Sequence, residues 1–177
     1  MRRYTFAQST SREGTVAHLS KAWFLAAILL FSTLFARPAR AAGDPPSDLC
    51  SLLTVTQINT ITGAKYDAPK KTVAPAPFMN TASGTDCTYT KSNDSRERTI
   101  LFRAYVDPSP AAASDLFAKL GAFFGTGTPI TGLGDKAYID NNHGLHVLKG
   151  KVRFFIAMGE YDQKQVVALA NYVIGQL

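Results

Sequence analysis

The sequence is poor in the residues that usually announce chemistry. Its 177 positions hold two cysteines, three histidines and one tryptophan. Two cysteines are too few for a disulfide-dense miniprotein or for a zinc site built on thiolates. There is no Gly-x-Ser-x-Gly elbow, no Gly-Lys-Ser/Thr phosphate loop and no Cys-x-x-Cys pair. The commonest sequence signatures of serine hydrolysis, nucleotide hydrolysis and thiol redox catalysis are therefore missing. Charged residues make up 18% of the chain and hydrophobic ones 46%, which excludes an intrinsically disordered protein.

What is present is uneven. The net charge of +6 gathers at the start, where residues 1–41 carry Arg2, Arg3, Arg12, Lys21, Arg37 and Arg40 against Glu13 alone. Residues 42–177 hold 13 basic and 12 acidic groups, a net of +1, so nothing there calls for nucleic acid or an anionic lipid surface. Residues 22–36 are fifteen uncharged positions, short of the roughly 20 needed to cross a bilayer. Preceding basic residues and the following Ala39-Arg40-Ala41 match a secretory signal peptide, with cleavage expected between Ala41 and Ala42. Membrane contact would then be transient; the alternative reading of the apolar run is an uncleaved membrane anchor. The first cysteine, Cys50, follows Ser47-Asp48-Leu49, and a charge at that point makes a poor lipidation box. The sequence thus predicts a secreted or periplasmic protein whose working part is a single domain, 42–177.

In an oxidising compartment an isolated cysteine pair is most simply a structural bridge, so Cys50–Cys87 is expected as the one disulfide. Thr54-Val55-Thr56-Gln57 has capping-box spacing and opens a short helix that Gly63 stops. Residues 65–85 read mainly as loop, with one short strand near 65–68. Strands follow from Cys87 and over 99–106, where Ile100, Phe102, Ala104 and Val106 alternate with Leu101, Arg103 and Tyr105. Ser109-Pro110 starts a second helix with Ala113, Leu116, Phe117, Leu120 and Phe124 as its stripe. Strands at 136–140, 145–148 and 151–158 and a last helix from Asp162 complete the order. Short turns make these strands antiparallel. The predicted class is α+β: an antiparallel sheet with helices packed on one face.

Four features share an order: Leu49-Cys50-Ser51-Leu52-Leu53-Thr54, Cys87-Thr88-Tyr89, Gly132-Leu133-Gly134-Asp135-Lys136-Ala137-Tyr138, and an amphipathic C-terminal helix. Over most of 48–177 this pattern resembles a family of small exported bacterial proteins and lipoproteins of unknown function. The resemblance implies an exported α+β domain and brings no catalytic residues. The layout is also loosely similar to the PsbP-like fold, which implies a binding role.

Gly132 and Gly134 could bring backbone N–H groups to a phosphate, but the segment leads into a strand, so a tight structural turn with Asp135 bonding nearby N–H groups is expected. His143 and His146 are three apart across a turn and strand, which points them to opposite faces and away from a shared metal. No cofactor or metal is implied. A small hydrolase using carboxylates near Asp135 and Asp140, with Glu160 in reach, is the enzymatic alternative; a secreted effector directed at a host or competitor is a third reading. The strongest surface feature is the second strand face, where Arg103, Tyr105, Lys136, Tyr138, Arg153 and Phe155 mix aromatics with cations. That mixture suits an envelope ligand or protein partner, so the first expectation is a non-enzymatic binding domain.

Overall fold

A computed structural model of the chain describes residues 44–78, 81–125 and 127–177. The predicted signal segment 1–41 and the Ala41–Ala42 cleavage point lie outside them. The described residues belong to one compact unit, Ala42–Leu177.

The chain enters through a 3₁₀ turn, Leu49–Leu52, whose first N–H groups are met by Asp48: its Oδ1 accepts from the Cys50 N–H at 3.1 Å. Helix α1 is Val55–Thr62, with the Thr54 hydroxyl accepting from Gln57 N–H at 3.3 Å and Gly63 closing it at φ 67. Strands β1 (Lys70–Ala74), β2 (Gly84–Thr90) and β3 (Thr99–Val106) lead to α2, Pro110–Phe124. Its N-cap is Ser109, and proline occupies a first-turn position whose missing N–H costs nothing. Strands β4 (Thr128–Pro129), β5 (Lys136–Ile139), β6 (Leu145–Lys149) and β7 (Val152–Met158) follow, then α3, Gln163–Ile174, capped by Asp162.

Among the described residues the seven strands form one antiparallel sheet in the order β1-β2-β3-β7-β6-β5-β4. The fold is α+β with one disulfide, Cys50–Cys87, which joins the 3₁₀ turn to β2 at a Cα separation of 5.7 Å. Closing a 37-residue separation removes roughly 4 kcal/mol of unfolded-state entropy in the chain-entropy model.

Register fixes two faces, because side chains alternate along each strand. Opposite one another on the first lie Cys87, Phe102 and Ile156, with Ala104, Phe154 and Val147 in the next row. These pack with Ile58 of α1 and with Val166, Leu169, Ala170 and Val173 of α3 in the main core. The rings of Phe102 and Phe154 sit 5.9 Å apart, and the buried Tyr89 hydroxyl donates to the Leu53 carbonyl, tying the 3₁₀ turn to the sheet.

The second face differs from the one-sided packing expected. Helix α2 lies on it, where Ala113 and Phe117 bury Tyr138 and Leu148 in a separate cluster. The physical reason is in the strands themselves: Tyr138 of β5 and Leu148 of β6 put large apolar surface on the row opposite the main core, and a sheet with two apolar rows needs cover on both sides. A second correction concerns β1. The strand in the disulfide loop runs Lys70–Ala74, not 65–68, where Tyr66 makes only an isolated bridge to Lys91. β1 is a sheet edge with four exposed positions, and its two lysines and short length are common guards against strand-to-strand association.

Candidate functional site

Helix α2 covers only part of the second face. Beside it, along the register Asp86–Arg103–Phe155–His146–Tyr138, runs a row of paired polar and aromatic side chains. The next row holds Tyr105, Arg153, Leu148 and Lys136. Between these rows, Leu120 of α2 and the Pro75-Ala76-Pro77 segment is a cavity of about 430 Å³, within the size range of small-molecule sites. Its sheet wall is Arg103, Tyr105, His146 and Phe155, and Asp140 and Asn142 close one end.

Each wall side chain is held from behind. Arg103 donates through Nε and Nη2 to the two carboxylate oxygens of Asp86 at 2.6 and 2.7 Å, a planar two-point pair. Burial raises the Tyr105 hydroxyl above its usual pKa, with the Arg103 charge opposing the rise, and the hydroxyl donates to the Pro75 carbonyl at 3.0 Å. That bond fixes the proline segment over the face. Two close approaches demand glycine here: a Cβ on Gly84 would lie 2.7 Å from the Tyr105 ring, and one on Gly144 would lie 2.2 Å from Phe155.

At the far end, His146 is stacked on Tyr138 with centroids 4.6 Å apart, tilts against Phe155 at 4.7 Å, and meets Asp140 Oδ2 through Nε2 at 2.9 Å. Burial holds the imidazole below its ordinary pKa, with Asp140 opposing. Burial alone would push the Asp140 carboxyl up, but bonds from His146 and from the Gly144 and Asn142 N–H groups outweigh it and hold it below the usual range. Asp140 Oδ1 accepts from those two N–H groups at 2.9 and 2.8 Å, so the carboxylate organises the β5–β6 turn. Tyr138, under Phe117 at 5.2 Å, is driven by burial and then by the Asp140 charge to a pKa of about 12.

The structure sorts the residues singled out from sequence. Arg103, Tyr105 and Phe155 line the cavity, whereas Tyr138 and Arg153 lie beneath the surface. Arg153 is 3% exposed; it donates to both carboxylate oxygens of Asp107, and its guanidinium carbon stands 4.8 Å from the Tyr105 ring centroid. It is a buried structural cation, not a presented one. Lys136 is exposed at the margin and donates to the Ser114 hydroxyl. Gly132 and Gly134 hold φ values of 76 and 61, and Asp135 accepts from the Gly150 N–H at 2.6 Å and from Lys149.

Other pairings do not converge. Asp135 and Asp140 bracket β5, roughly 16 Å apart at a strand's rise per residue. Glu160 binds Arg98 and Lys91 instead. His143 stacks on Tyr161 at 4.5 Å, away from His146. No group of three or more His, Cys, Asp or Glu side chains able to hold a metal occurs among the described residues, and no helix there is long and apolar enough to cross a membrane.

Sequence reasoning missed Asp86, Asp107, Leu120 and the proline segment. Asp86 was findable: Cys87 must face the core, so its neighbour faces Arg103.

No protein-family model matches the chain, and no curated protein matches it. Among solved structures the chain is similar to the extracellular domain of PknH from Mycobacterium tuberculosis, at 9% identity and a TM-score of 0.48, over 74% of this chain and 96% of that one.

Proposed function

We propose that this protein is exported and that its folded domain is a non-enzymatic binding module whose ligand seat is the cavity on the second sheet face. The observation that carries the reading is the cavity itself: about 430 Å³ walled by Tyr105, Phe155, Leu120 and two prolines, with Arg103, Asn142, Asp140 and His146 as its few polar groups. Mostly apolar walls with a small set of placed polar groups are the usual build of a small-molecule site. A hydrolytic role has no such support, because Asp135 and Asp140 sit at opposite ends of β5 and each is engaged by backbone N–H groups. Export rests on the leader-like pattern of residues 1–41 and on the Cys50–Cys87 bridge, which persists in oxidising compartments.

Binding is tested with the fluorescent apolar probe N-phenyl-1-naphthylamine. The wild-type protein is expected to take it up with 1:1 stoichiometry, and Ala76→Trp, on the exposed proline segment lining the cavity, is expected to abolish uptake. Uptake that ignores Ala76→Trp would remove the cavity as the seat. N-terminal sequencing of the protein recovered outside the cytoplasm is expected to begin at Ala42; a chain that stays cytoplasmic would refute export.

A further inference from the structure

Resting on that reading, we infer that the cavity takes small molecules with an apolar ring body and no negative charge, and rejects anions although an arginine lines it. Charge at the cavity is disposed against anions. Arg103 is the one cation among the lining residues, and Asp86 neutralises it through two hydrogen bonds at 2.6 and 2.7 Å. Asp86 is itself mostly buried, its side chain 13% exposed, so the pair is a fixed feature of the wall. The second arginine of this face, Arg153, is consumed by Asp107 and by the Tyr105 ring, and is buried beneath the wall.

The charge left at the cavity belongs to Asp140. Its partner His146 is buried between Tyr138 and Phe155, which favours the neutral imidazole and leaves the carboxylate's charge uncancelled. An entering anion would therefore shed its hydration against Phe155, Leu120 and the prolines, find no unpaired cation, and meet a carboxylate at the end of the site. A neutral ring body loses only apolar hydration there. A ligand amine or hydroxyl has Asp140 and the Asn142 side chain as partners. Cations gain from both the Asp140 charge and the aromatic walls.

The test is a matched pair of probes on the exported protein: N-phenyl-1-naphthylamine, uncharged, and 8-anilinonaphthalene-1-sulfonate, the same rings carrying a sulfonate. The uncharged probe is expected to bind at least tenfold more tightly. In a second pair on the same naphthyl ring, 1-naphthylmethylammonium is expected to bind more tightly than 1-naphthylacetate. Both comparisons use the wild-type protein, so neither depends on a variant folding. Asp86→Asn, which keeps the shape of the wall and unmasks Arg103, is expected to raise sulfonate affinity at least tenfold while leaving the uncharged probe within twofold. Sulfonate bound as tightly as its uncharged counterpart, with uptake still abolished by Ala76→Trp, would overturn the charge preference while keeping the seat. Probe uptake indifferent to Ala76→Trp would instead overturn the seat, and the preference with it.

Discussion

The two faces of the sheet are made from alternate residues of the same strands, yet they solve burial differently. On the first, Ile100, Phe102, Ala104, Phe154 and Ile156 meet the stripes of α1 and α3 with 3% exposure or less. That is burial by apolar area alone, at roughly 25 cal/mol per Å². On the second, aromatics stand beside arginines, and both arginines are paired, Arg153 with Asp107 and Arg103 with Asp86, while the neutral His146 ring bonds the Asp140 carboxylate. Burying charge in pairs is nearly neutral in free energy compared with apolar packing. The second face therefore contributes less stability per residue, and it is where incomplete cover leaves a cavity. A closed, dry core and an adjoining, partly open polar-aromatic face let one small sheet be both scaffold and site.

The two faces are expected to respond differently to truncation. Phe102, fully buried, and Phe155, half-buried against the cavity, lie on neighbouring strands and opposite faces. Phe102→Ala is expected to cost about 4 kcal/mol, since it leaves a hole in close-packed core. Phe155→Ala is expected to cost about 2 kcal/mol or less, because one side of the ring already meets open space. Urea denaturation of both variants measures the gap; equal losses would mean that the second face is packed as tightly as the first.

A similar contrast operates within the second face. Asp107→Ala leaves Arg153 buried with no carboxylate, and Nη1 of that guanidinium already lacks a hydrogen-bond partner among the described residues. A loss of about 3 kcal/mol is expected. Asp86→Ala uncovers an arginine whose side chain is 31% exposed and can be rehydrated, so about 1 kcal/mol is expected. Replacing Arg153 and Asp107 together by Met and Leu is expected to recover most of the first loss, since the penalty lies in the orphaned charge. Thermal unfolding of the three variants checks the ranking.

How far these faces were legible in sequence follows from what alternation encodes. The period-two pattern of 99–106 and 151–158 separates the two rows correctly, and Phe102 and Phe154 fall in the core as read. Start and stop signals are local chemistry, so Thr54, Ser109 and Asp162 mark helix starts correctly. Which face a helix covers is not local. It depends on where β3 hands the chain to α2 and on how much apolar surface Tyr138 and Leu148 leave uncovered, a property of strands distant in sequence. For the same reason Arg153 reads as a presented cation until Asp107, 46 residues away, is found beside it. Burial of a charge is decided by its partner, and partners on antiparallel strands carry no fixed spacing.

The two faces also differ, more weakly, in their response to pH. Among the described residues the buried charged side chains are Asp107 and Arg153, paired with each other on the second face, so the first face buries none. On the second, His146 is held below the ordinary value of about 6.5 by burial. An unfolded chain therefore takes up a proton near pH 6.5 that the folded chain still refuses, so stability contributed by the neutral ring is present above that pH and is lost as pH falls from 6.5 towards the folded value. Asp140, held below its ordinary range, is lost only at still lower pH and lies outside this window. His146→Gln, which can still offer an N–H to Asp140, is expected to flatten the stability curve between pH 6.5 and 5 while changing stability little at pH 8. Urea midpoints across that range measure the slope, and an unchanged slope in His146→Gln would mean that proton uptake on the second face is not what couples this fold to pH.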